Sequence, residues 1–193
     1  MVFAFVLLVV SVPLARGRLA LLAGLHVQRA DLVVTALGLQ VLMTTVLADA
    51  PHGWLVAVHL VSYAAVAGAL WANRRLPGLL LIALGGGTNA AVISLNGGTL
   101  PARREALLEA GFPVDPGQFK NSGVVVDPVL PWLGDIAATP AFLPFRNVIS
   151  VGDVVVLLGA AVLLHVTCRS GLHAALAHRG AHARQARRPR LSL

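Results

Sequence analysis

Apolar residues run along this chain in long unbroken stretches, without the alternation of a half-buried strand. The stretches are Met1 to Leu14, Leu32 to Ala48, Trp54 to Ala72, Leu76 to Leu95 and Ser150 to Cys168. Runs of about 18 or more apolar residues read as membrane spans, because a helix needs roughly 20 residues to cross the hydrocarbon core. Only helices and closed barrels satisfy their backbone polar groups in lipid, and these runs are too long and too little alternating for barrel strands. The pattern predicts an all-α, polytopic membrane protein with about five transmembrane helices and one long extracytoplasmic loop. Its parts are a four-helix membrane region over 1–95, a loop over 96–149 packed on the outer face, a fifth helix over 150–168 and a basic tail over 169–193. The first run is short for a span. It has no basic segment ahead of it and no small-residue cleavage site after it, so it does not read as a cleaved signal peptide. Either the helix starts further upstream or it thins the bilayer locally.

Composition sharpens this picture. The chain is 57% hydrophobic and 12% charged, against about 25% charge in a soluble domain. Its formal net charge is +7. A basic balance is compatible with nucleic-acid binding, but the basic residues here flank the apolar runs, where they anchor spans, and no nucleic-acid partner is expected. The partners expected are the lipid bilayer and an unidentified membrane protein. Cys168 is the single cysteine, so no intrachain disulfide forms and the compartment cannot be read from cysteine pairing.

Arginine placement sets an orientation. The connector from Arg16 to Arg29, the Arg74–Arg75 turn and the tail carry the short-loop basic residues, and the turn at Pro51 carries none. Basic short loops stay cytoplasmic. The N-terminus and the loop are therefore expected outside, and the C-terminus in the cytoplasm. Within the loop, Pro101 suits a first helical turn, Ala102 to Ala110 favours helix and Gly111 is a natural stop. Leu100, Leu107 and Leu108 would share a face lying on the membrane surface. The tail reads equally as an amphipathic helix or as disordered.

Few positions carry candidate chemistry. Ser150 and Asp153 stand three residues apart at the head of the last apolar run, the spacing of a capping box. Asp153 is also an ionisable group at a membrane edge, where such groups mark polar sites. Gly85, Asn89 and Asn96 share a face of the fourth run; glycine allows close helix approach, and asparagine can bond across. His52, His59 and Tyr63 share a face of the third. A metal would need three or four ligands, and only His52, His59 and Asp153 offer themselves, so no metal and no cofactor is expected. His59, Asn89, Asp153, Thr44 and Thr45 fall at similar depth from the outer end of their spans, which suggests an outward-open polar pocket roofed by the loop.

At Asn89 and Asn96-Gly97-Gly98-Thr99-Leu100-Pro101, and again at Leu133-Gly134-Asp135 and Asn147 through Ser150-Val151-Gly152-Asp153, the chain resembles the small bacterial membrane proteins called domain of unknown function 5317. The resemblance covers most of the chain in order, departing at Leu100, where the family usually has Met, and over 111–126. It implies a membrane location, no known reaction, and motif positions at Asn89, Asn96, Gly97, Gly98, Pro101, Asp135, Asn147, Ser150, Gly152 and Asp153. Read physically, Asn96-Gly97-Gly98 ends the fourth helix through left-handed residues. The two motifs would meet at the outer rim and hold the loop down as a lid, with Asp135 accepting backbone hydrogen bonds. The expected function is a noncatalytic accessory or scaffold component of the cell envelope. The alternatives are a small carrier or binding protein using the polar pocket, or an intramembrane enzyme using Asp135 or Asp153 with His59.

Overall fold

Long apolar runs become helices because a helix bonds every backbone N–H and C=O within its own segment. The computed structural model describes residues 2–47, 51–112, 114, 122–140, 142–143 and 146–172. Its long helices are α1 (Val2–Leu14), α2 (Ala30–Thr45), α3 (His52–Ala72), α4 (Leu79–Leu95) and α6 (Val151–Thr167), and α5 (Arg104–Glu109) is a short one in the loop. Each long helix coincides, within a few residues, with one of the apolar runs. Among the described residues one helical stretch, Gly53–Ala72, is long and apolar enough to cross a membrane. The connector between α1 and α2 forms a 3-10 turn over Leu19–Gly24.

The helices turn apolar side chains outward. Phe5, Val34, Leu60, Leu80 and Leu158 are at least half exposed, while His59, Ser62 and Ser150 are buried. α2 packs along α3, and α4 along α6, whereas α3 and α4 touch sparsely. Between α2 and α3, Gln40 Nε2 donates to Ser62 Oγ at 3.1 Å and Ser62 Oγ donates to the His59 carbonyl at 2.8 Å. α1 is tied to the end of α6 by Arg18 N–H to the Cys168 carbonyl (2.9 Å) and Gly171 N–H to the Ala15 carbonyl (2.7 Å).

The loop carries short strands, so the chain is mostly helical rather than all-α. β1 (Leu100–Pro101) pairs in parallel with β2 (Ser122–Gly123), and β3 (Asp135–Ala138) pairs antiparallel with β4 (Val148–Ser150), which runs directly into α6. A bridge between Ala102 and Asp135 joins the two pairs. The sequence expectation missed these strands because pairs this short carry no periodicity of their own.

The expected 102–110 helix starts later, at Arg104, because Pro101 is already committed to β1. It ends at Glu109 with Ala110 as its cap, and Gly111 follows at φ +74°, a left-handed turn that glycine adopts without strain. The expected common face of Leu100, Leu107 and Leu108 does not form. Leu100 packs with Val92 and Ile93 of α4, Leu107 with Ala106, Ala110 and Val148, and Leu108 is exposed. The tail expectation and the Ala48–Ala50 end of the second run lie outside the described residues.

Candidate functional site

The most extensive helix contact among the described residues, α4 against α6, sets the geometry of the motif residues. Glycines recur seven residues apart on both partners: Gly78 and Gly85 on α4 and its N-terminal cap, Gly152 and Gly159 on α6. The helices run antiparallel, so Gly85 meets Gly152 and Gly78 meets Gly159. A Cβ on Gly85 would stand 2.4 Å from the Gly152 carbonyl oxygen, and one on Gly159 would stand 2.7 Å from that of Gly78. Small residues let two backbones approach this closely.

One turn beyond Gly85, Asn89 reaches the start of α6. Its Nδ2 donates to Asp153 Oδ1 (3.0 Å), and its Oδ1 accepts from Ser150 Oγ (3.0 Å). Asp153 N–H donates to Ser150 Oγ (3.0 Å), and Ser150 N–H donates to Asp153 Oδ2 (3.2 Å), the capping box expected at this helix start. The three side chains form a closed ring in which each bonds the other two residues. Gly152 leaves room for it, because a Cβ there would fall 2.1 Å from Asn89 Oδ1. Serine, glycine and aspartate in this order thus cap α6, admit the asparagine and fix it.

The loop is held by a second group. The Asn96 side chain grips one residue of the loop backbone: Nδ2 donates to the Val129 carbonyl (2.9 Å) and Oδ1 accepts from the Val129 N–H (2.8 Å). Asn96 itself is not left-handed (φ −114°), whereas Gly97 (φ +65°) and Gly98 (φ +94°) are. Gly134 lies against Pro101, where a Cβ would meet the Pro101 carbonyl oxygen at 2.0 Å. Asp135 is paired with Ser150 across β3 and β4, and its buried carboxylate accepts from the Ser122 hydroxyl. The backbone hydrogen bonds expected for its side chain are replaced by that hydroxyl; it is the Asp135 main-chain carbonyl that accepts, from Arg103 N–H (2.9 Å). Burial pushes the carboxyl up to about 6; the Asp153 charge adds to the rise and the Ser122 hydrogen bond opposes it. Asn147 contributes through its backbone, whose carbonyl accepts from Thr139 N–H (2.8 Å) and whose N–H donates to Thr139 Oγ1 (2.8 Å).

Among the described residues, the side chains expected to form one polar pocket do not come together. Asn89 and Asp153 close on each other at the α4–α6 seam, and the exposed Thr45 bonds its own helix at the Val41 carbonyl (2.7 Å). The Thr44 and His52 side chains lie outside the described residues. His59 sits elsewhere, at a cavity of about 300 Å³ between α3 and the end of α4, lined by Val56, Leu60, Tyr63, Ile93 and Gly97 among others. There His59 Nε2 and the Tyr63 hydroxyl are 2.7 Å apart. The enzyme alternative, which needs His59 beside Asp135 or Asp153, finds no such contact among the described residues. No group of three metal-ligating side chains forms among those residues either.

Three features escaped the sequence. Asn73, at the end of α3, clamps Gln28 as Asn96 clamps Val129: Gln28 N–H donates to Oδ1 (2.8 Å) and Nδ2 donates to the Gln28 carbonyl (2.7 Å). His165 links Ser11 Oγ (3.1 Å) to Ser170 Oγ (2.9 Å). The Ser11 hydroxyl donates to the Leu8 carbonyl (2.6 Å), so its own proton points away from the imidazole. The doubled seven-residue glycine spacing was a readable signal; the other two depend on which helix ends meet.

The chain matches the model of a "Family of unknown function (DUF5317)" over residues 24–165. An uncharacterized protein of Thermotoga maritima is 34% identical over 92 residues, which is 47% of this chain and 51% of that protein. The match thus spans about half the length of that relative. No solved structure matches the chain.

Proposed function

The chain belongs to the family of unknown function DUF5317, and on that premise we propose that it is a multi-pass, noncatalytic membrane protein of the bacterial envelope whose extracytoplasmic loop is a platform for a membrane-protein partner. One observation carries the reading: the motif side chains are spent on holding α4 to α6, the loop to α4 and the loop strands to one another. Asn96 holds Val129, Asn89 closes the ring with Ser150 and Asp153, and Asp135 bonds Ser122. Polar groups committed to one another in this way fix a shape.

The membrane reading is supported by the large apolar side chains that the helices turn outward, where a water-soluble bundle presents mostly polar ones, while His59 and Ser62 are buried inside. α1, α2, α4 and α6 are 13 to 17 residues long and would span a thinned bilayer with their capping turns. Arg16, Arg18, Arg29, Arg74 and Arg75 gather in the connector and the α3–α4 turn. That end faces the cytoplasm, which puts the N-terminus and the loop outside and the C-terminus inside.

Aromatic and aliphatic side chains stand out on the loop: Val126, Trp132 and Phe142 are all well exposed. Photoreactive residues at Trp132 and Phe142 in living cells test the platform. The reading expects one discrete protein adduct from both positions and none from the helix position Val34. It fails if the loop positions yield no protein adduct, or the same adduct as Val34.

A further inference from the structure

The cavity beside His59 is not used by the loop-fastening network, and its chemistry differs from the rest of the bundle. It lies where α2–α3 and α4–α6 meet loosely, so side chains do not fill the seam. Its walls are apolar, from Val56, Leu60 and Ile93, with Gly97 at the outer rim. Leu60 is 51% exposed and Ser94 is also exposed, so the cavity opens sideways from the bundle. Ligand pockets run from about 300 to 1,000 Å³, so this one is sized for a single small ring system.

Its polar handle sits among these walls. His59 is 3% exposed, and its Nε2 pairs with the Tyr63 hydroxyl at 2.7 Å. That pair has two arrangements. When the imidazole donates, the tyrosine hydroxyl proton is free to point at a ligand acceptor. When the tyrosine donates to the imidazole, the phenol oxygen can accept from a ligand hydroxyl. The pair therefore suits a ligand oxygen that is a carbonyl in one form and a hydroxyl in another. Among the described residues no fixed charge lines the cavity, which disfavours anionic headgroups.

We propose that this cavity binds the ring of a lipid-soluble quinone or its quinol, the ring oxygen hydrogen-bonded to Tyr63 and the aliphatic tail leaving past Leu60 into the bilayer. The proposal is for binding; no electron transfer is assigned to it. It rests on the membrane reading above, since the side opening must face lipid. The test uses detergent-purified protein, so an error in loop orientation or in the platform reading would leave its result unchanged.

Equilibrium titration with decylubiquinone, decylubiquinol and decanol decides it. The expected result is saturable binding of quinone and quinol, not displaced by decanol. Tyr63→Phe, which removes only the hydroxyl, should weaken both by about tenfold, the loss of one buried hydrogen bond; it also takes from the buried His59 Nε2 its bond to that hydroxyl and lowers the melting temperature of the unliganded protein, so binding is read well below that temperature. Val56→Phe, which fills the cavity, should abolish both. Because Tyr63 is the only tyrosine, an infrared difference spectrum on ligand addition should show a single shifted phenol band. Absence of saturable binding, displacement by decanol at equal affinity, or undiminished binding to Tyr63→Phe would each overturn the proposal.

Discussion

Gly85 of α4 and Gly152 of α6 face each other so closely that a Cβ on Gly85 would lie 2.4 Å from the Gly152 carbonyl oxygen and 2.7 Å from the Val156 nitrogen. The atoms in the way are backbone, which cannot rotate aside. Gly85→Ala should therefore push α4 from α6 and destabilise the protein by about 1–3 kcal/mol, the usual cost of overpacking. Gly86→Ala is the matched control: its Cβ would meet nothing within 4 Å, and the gain in helix propensity is up to about 1 kcal/mol. Thermal unfolding in detergent should show the two variants moving in opposite directions.

Asn96→Ala removes both arms of the grip on Val129. Two hydrogen bonds at about 1 kcal/mol each would be lost from the loop, together with the Nδ2 bond to the Val92 carbonyl (2.7 Å) in the last turn of α4. Amide exchange at Val129 and its neighbours should speed by one to two orders of magnitude, while α6 and the body of α4 before that turn exchange as before. Asn73→Ala should do the same at Gln28, at the other end of the bundle.

Ser150→Ala breaks the capping box and leaves Asn89 Oδ1 without the hydroxyl that it accepts from. A lost cap alone costs about 1 kcal/mol, and the half-buried acceptor left behind on Asn89 adds up to about 1 kcal/mol. Asn89→Ala in the same background should cost little more, because the ring is already open. Near-additive losses in that double-mutant cycle would show that the ring does not act as a unit.

Asp135 gives the loop a pH dependence whose sign follows from its burial. Its folded pKa of about 6 lies above the roughly 3.9 of an unfolded aspartate. Protonation therefore favours the folded loop. That contribution is fully present below about pH 4 and is lost as pH rises through about 6. Asp135→Asn should flatten the loop's stability between those limits. Ser122→Ala removes the hydrogen bond that opposes the rise and should move the midpoint upward. Loop exchange rates followed from pH 4 to 7.5 give both readings.

The helices were legible because a long apolar run without alternation leaves few other structures open to it. The capping box was legible because serine and aspartate three residues apart make it locally. The loop was not. Its strands pair Asp135 with Ser150 and Leu100 with Ser122, contacts set by where the chain returns and not by local pattern. Depth counted along separate apolar runs also misled: it grouped His59 with Asn89 and Asp153, but α6 draws Asn89 and Asp153 together while His59 turns to Tyr63. Depth says how far a residue sits from the rim; only helix packing says which neighbour it faces.

The central claim is that the loop is fastened outside a membrane that the helices cross. Single cysteines at Val126 in the loop and at Arg75 in the α3–α4 turn, both exposed, test it in a background where the buried Cys168 is changed to Ala. A membrane-impermeant maleimide is added to intact spheroplasts and, separately, to opened ones. The expected result is labelling at position 126 in intact spheroplasts and at position 75 only after opening. Labelling at 75 in intact spheroplasts, or none at 126, would contradict the account.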